Sequence, residues 1–142
     1  MIGVLTALSL AAAPLAPQPT APEATAESFL KAFKEMDEVR FDNFFAPDVT
    51  MFFPEGPFPD DRIEGRDAVL AAFHSFFKLV RERGRTSLNI APVEQRMQVF
   101  GDVAVLTFEL HGEDTIGRRS IVLSRLGGDW RIVHFHASAV DK

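Results

Sequence analysis

The chain of 142 residues has no cysteine, no tyrosine and a single tryptophan. Without thiols there is no disulfide framework, no thiolate nucleophile and no cysteine-ligated zinc. Without tyrosine, no phenol is present to donate a hydrogen bond inside an apolar cavity. No Lys/Arg run occurs either, and the formal net charge is −5. That balance opposes a general affinity for nucleic acid or anionic lipid, since neither phosphate attraction nor counterion release would favour binding. No internal repeat is visible. What is abundant is phenylalanine, with 14 residues in a composition that is 46% hydrophobic and 25% charged. This describes an ordinary globule with material to shape or fill an apolar interior.

Charge is also missing from the first 22 residues, where Ile2–Ala13 is an apolar run. It is too short for a bilayer span, which takes about 20 residues. It ends in Ala11-Ala12-Ala13, the small-residue pattern that signal peptidase cuts, although the segment before it lacks Lys and Arg. Pro14, Pro17, Pro19 and Pro22 then give an extended tether. Residues 1–23 are therefore read as a signal peptide plus tether, which places the protein outside the cytoplasm, secreted or periplasmic. Failing that, it is cytoplasmic. Residues 24–142 form one domain of about 115–120 residues.

From Ala24 on, Ala26, Phe29, Leu30, Phe33 and Met36 recur at helical spacing. A short second helix is predicted over Val39–Phe45, ahead of Pro47. Val49–Phe53 reads as a strand stopped by Pro54, and Glu55–Arg62 as a loop rich in Pro and Gly. Asp67–Arg83 is the best helix, with a stripe of Val69, Phe73, Phe76, Phe77 and Val80 before Gly84. The period then becomes that of strands, over Thr86–Ile90, Val93–Phe100, Val103–His111, Arg119–Leu126 and Trp130–Ser138. Gly101-Asp102 and Gly127-Gly128-Asp129 are hairpin signals. Helices followed by antiparallel strands make an α+β domain, with a long curved sheet wrapping Phe-rich helices into a cone.

Three stretches carry a family resemblance: Phe44–Glu55, which leads into the first strand, Glu64-Gly65-Arg66-Asp67, which opens the long helix, and Gly128–Ser138. Together they resemble the nuclear transport factor 2-like superfamily, its SnoaL-like group, and within it the association domain of calcium/calmodulin-dependent protein kinase II. The resemblance covers roughly Glu27 to Ser138 and implies a cystatin-like cone: a curved antiparallel or mixed sheet packed on the N-terminal helices. It does not fix function, because this superfold hosts enzymes, binders and assembly modules. Kinase association domains line the cone with arginines. The corresponding positions here are Leu110, Ile121 and Ala137, all apolar, which argues against an anion-binding cone. The tyrosine donors of ketosteroid isomerase-like and scytalone dehydratase-like relatives are absent.

Candidate residues follow from this frame. Phe33, Phe53, Phe73, Phe77, Leu106, Phe108 and Phe135 would line the cone and bind a small apolar or aromatic ligand, or else simply fill it. His74, His111 and Asp42 are the candidates for acid/base catalysis, His111 in concert with Glu109 on the same strand face. Each also has a plainer role in capping, turns or a solvated edge. His134 and His136 could bind metal with His111 or Glu109, but alternation groups them with Trp130 and Ile132 on the face away from the cone, opposite Arg131, Val133, Phe135 and Ala137. There they read as structural, so no metal and no cofactor is expected. The apolar outer face, with Trp130, Ile132 and Val122, predicts a homodimer through the sheet. The leading expectation is a small-molecule-binding protein, with acid/base chemistry on a hydrophobic ligand as an open extension. The alternative is a non-catalytic homo-oligomerisation module.

Overall fold

A computed structural model describes residues 21–54, 58, 59 and 61–142. The expected signal segment and most of its tether lie outside these residues. Helix α1 spans Pro22–Glu35, with Pro22 in the first turn, where a missing N–H costs nothing. Its buried face is Ala26, Phe29, Ala32 and Phe33. It stops at Met36, which adopts a left-handed φ of 53°. The Met36 carbonyl accepts from Arg81 at 2.7 Å. The predicted second helix resolves into α2, Glu38–Phe41, capped by the Asp37 carboxylate, and a 3-10 turn over Asp42–Phe44.

Strand β1 is longer than the sequence indicates, Phe45–Phe52, and includes Pro47. The proline is tolerated because β1 slips against its neighbour between Phe45 and Thr50, so no ladder bond is needed from its nitrogen. The two-residue β2, Ile63–Glu64, pairs antiparallel with β1. Helix α3 follows at Arg66–Glu82 and buries Val69, Leu70, Phe73, Phe77 and Val80. The expected strand over Thr86–Ile90 is not one. Leu88 is instead buried, and its N–H donates to the Lys34 carbonyl at the end of α1, so this segment packs on the helix and joins no ladder.

The remaining strands are β3 Val93–Phe100, β4 Val103–His111, β5 Thr115–Leu126 and β6 Asp129–Asp141. Gly127 and Gly128, both at positive φ, close the last hairpin as a two-residue connection requires. The sheet order is β2-β1-β6-β5-β4-β3, with the β1–β6 pair parallel and the other pairs antiparallel. The architecture is a six-stranded, curved, unclosed mixed sheet with the N-terminal helices packed in its concavity.

One expectation about β6 is corrected. Opposite β5, the register jumps from Val122↔His134 to Leu123↔Ile132, leaving Val133 as an extra residue. Such a bulge breaks the two-residue alternation. Trp130 and Ile132 therefore face the core, 3% and 0% exposed, on the same side as Phe135 and Ala137. His134 and His136 alone remain on the convex face. The interior is a continuous aromatic cluster. The Phe41 ring is fully buried and contacts those of Phe29, Phe33, Phe45, Phe73 and Phe77 at centroid distances of 4.9–5.6 Å.

Candidate functional site

The concave wall is built by alternation: Leu106, Phe108 and Leu110 on β4, Ile121 on β5, Phe135 and Ala137 on β6. Leu106, Phe108, Ile121, Phe135 and Ala137 are buried, whereas Leu110 is only partly so. Phe33, Phe73 and Phe77 lie in the packed floor, in contact with one another and with Phe41. Phe53 follows β1 at the rim and is half-buried. Its ring stacks on Phe58 at 4.0 Å and on Phe135 at 5.9 Å. Phe58 also meets Phe73 and Phe76, closing the space above the floor.

Leu110, Ile121 and Ala137 face the cone as the resemblance implies, yet the wall is not wholly apolar. Arg119 pairs with Phe108 on one side and Ala137 on the other, two residues before Ile121 and on the same face. Its guanidinium lies 5.6 Å from the centroid of the Phe53 ring, a cation–π contact. Nη1 donates to the carbonyls of Arg118 at 2.9 Å and Ser138 at 3.0 Å. Burial lowers the Arg119 pKa from its usual value, because desolvation penalises the charged form. Sequence reading looked at the positions the family uses and passed over this one. Counting back two from Ile121 would have found it.

The acid/base candidates form two pairs. His74 on α3 meets Asp42 in the 3-10 turn, Nε2 to Oδ1 at 2.7 Å, both partly buried. Arg66 donates to the Asp42 carbonyl at 2.7 Å, so the turn is held from two sides. A carboxylate beside an imidazole is the unit of general-base catalysis. Here it also ties the 3-10 turn to α3. His111 and Glu109 meet at 2.8 Å at the exposed end of β4, on the convex parity. On β6, His134 Nδ1 and Thr50 Oγ1 are 2.8 Å apart, and the ring of His136 is 6.4 Å from that of His134. Burial, and secondarily repulsion from His136, lowers the His134 pKa. Among the described residues no group of three or more acidic, His or Cys side chains is arranged to hold a metal, and no helix is long and apolar enough to cross a membrane.

Two clefts border the wall. One, of about 200 Å³, runs between α1 and the β3–β4 edge, lined by Ala26, Leu30, Gln95, Met97 and Leu106. Such a volume is at the small end for a ligand site. The other, of about 280 Å³, lies over β4 and β5, with Glu94, Thr107, Phe108, Glu109, Arg118, Arg119 and Ser120 around it.

A family model described as a SnoaL-like domain matches residues 23–142. No functionally curated protein matches the chain. Among solved structures, a nuclear transport factor 2-like protein of unknown function from Pseudomonas putida KT2440 is similar, with a TM-score of 0.68, 18% identity and coverage of 82% of each chain. An uncharacterised protein with a cystatin-like fold from Caulobacter vibrioides matches with a TM-score of 0.65 at 18% identity, covering 83% of this chain and 86% of its own. A candidate calcium/calmodulin-dependent protein kinase type II association domain from Thiobacillus denitrificans matches with a TM-score of 0.66 at 25% identity, over 88% of this chain and 99% of that one.

Proposed function

Since the chain belongs to the SnoaL-like domain family of the nuclear transport factor 2-like superfamily, we propose that it binds a small apolar or aromatic molecule at the mouth of its cone. The observation that carries this reading is where the apolar wall ends. Phe53, Phe76 and Leu110 are only partly buried, so aromatic and aliphatic surface reaches the rim. The ligand would rest on Phe53, Leu106, Phe108 and Phe135, with Phe33, Phe73 and Phe77 as the floor beneath. Saturable binding of small aromatics such as indole or naphthalene derivatives is expected. It should appear as a thermal shift that grows with ligand concentration, and be weakened in Phe108→Ala. Absence of binding across such a panel at millimolar concentration would remove the reading. The His74–Asp42 pair is the acid/base unit to test for turnover once a ligand is known.

A second reading, self-association, is favoured by the convex face. Phe52, Phe100 and Val103 are exposed there at 38%, 63% and 39%, with Val105 and Val122 half-buried between them. Apolar surface of this kind is what a sheet-to-sheet homodimer buries. Light scattering after size-exclusion chromatography is expected to give a dimer, and Val122→Arg a folded monomer. A wild-type monomer at micromolar concentration would refute it. Export is proposed from the Ile2–Ala13 stretch, and N-terminal sequencing of protein from a periplasmic extract is expected to begin within Pro14–Pro22.

A further inference from the structure

We propose that Arg119 anchors an anion subsite on the concave wall, so that the ligand of the proposed cone-mouth pocket is a small aromatic or apolar carboxylate. This inference rests on the pocket reading and adds the chemical class of its occupant. Four observations converge on it.

The first is charge. Among the described residues, no carboxylate lies within ion-pair distance of Arg119: Glu94 and Glu109 border the same cleft, and Glu109 is engaged by His111 and Arg118. A cation held against phenylalanine without a counter-ion is incompletely compensated. Its lowered pKa has the same origin, burial.

The second is donor geometry. Only Nη1 is used, on the Arg118 and Ser138 carbonyls. These two bonds fix the plane of the guanidinium and leave the Nε–Nη2 edge without a partner among the described residues. No buried side-chain nitrogen or oxygen among the described residues lacks a partner, so this edge is open to solvent. Two parallel N–H donors on one edge match the two oxygens of a carboxylate.

The third is space. A Cβ on Gly117 would lie 3.0 Å from Nη1 and 3.1 Å from Nη2 of Arg119. Glycine there lets the guanidinium lie back along the strand, and Ala137 opposite Arg119 keeps the other flank small. The fourth is the company the charge keeps. Phe53 lies beneath it and Phe108 beside it in the ladder, which suits a flat apolar body behind the charged head. A single cation in a protein of net charge −5 favours a monoanion over a phosphate dianion.

The test compares naphthalene-2-carboxylate with its neutral isostere naphthalene-2-carboxamide, by calorimetric titration of the full chain. The native protein is expected to prefer the carboxylate by about tenfold or more, the worth of a charge-assisted pair. Arg119→Gln should abolish that preference while still binding the amide, and Gly117→Ala should reduce carboxylate affinity alone. Arg119→Lys, which keeps the charge without the fork, should fall between. Circular dichroism and the melting temperature establish that each variant is folded. Equal native affinity for the two probes, or an unchanged preference in Arg119→Gln, overturns the carboxylate assignment and leaves the apolar pocket standing. Failure of both probes to bind the native protein overturns the pocket and the assignment together.

Discussion

Single side chains divide here into those that set stability and those that set its dependence on conditions. Phe41 makes five ring contacts with no exposure. Truncating it leaves a cavity that rigid neighbours cannot fill, so Phe41→Ala should cost about 3–5 kcal/mol in urea denaturation. His134 acts through its proton. With its folded pKa below the unfolded value, the unfolded chain binds more protons across the interval between them. Stability from this group is complete above the ordinary histidine range and is lost as pH falls through that range toward the folded pKa. Denaturation midpoints measured from pH 8 to pH 5 should therefore decline less in His134→Gln than in the native protein; equal slopes would exclude the effect. Arg119 shows what sequence conceals at this scale. Its parity was legible, but that it makes no ion pair among the described residues is a property of three strands together.

Elements were legible where a regular period met a regular partner. Helix α3 and strands β3 and β4 fell close to their expected positions because stripe, alternation and turn glycines agree there, whereas β5 begins at Thr115 rather than Arg119. The misses share a cause, an irregularity that a period cannot express. Pro47 belongs to β1 only because of the slip against β6, and Thr86–Ile90 has strand composition but packs its Leu88 on α1. The bulge at Val133 is the most consequential, since one extra residue returns Trp130 to the core. Deleting Val133 would leave Trp130, Ile132, Phe135 and Ala137 in strict two-residue alternation, all on the core face. Near-ultraviolet dichroism and cooperative unfolding should therefore survive the deletion, as they should in Val133→Ala. Loss of the cooperative transition in the deletion variant alone would show that the register depends on the extra residue itself.

At the scale of the molecule, the cone has one side packed solid and one rim where apolar surface comes to light. The Phe-rich composition could not distinguish a filled cone from an open one, because the same residues serve both. The structure divides them: Phe33, Phe73 and Phe77 below, Phe53 at the edge. The convex face is less apolar than the sequence indicated, having lost Trp130 and Ile132 to the core. It still presents Phe52, Phe100 and Val103, and the proposed self-association should be tested on that reduced patch.

The parallel pairing of β1 with β6 has a consequence for how the chain comes into being. The first strand has β2 on one flank, and its other flank waits for the last strand, more than 80 residues later in the case of Thr50 and His134. During synthesis, α1 and β1 emerge long before the strand that covers them, with the phenylalanines of both unsheltered. Closing so long a loop before its contacts form is slow. Refolding from urea should accordingly run in milliseconds to seconds, and a chain stopped at Leu126, lacking only β6, should fail to fold and be captured by chaperones or proteases.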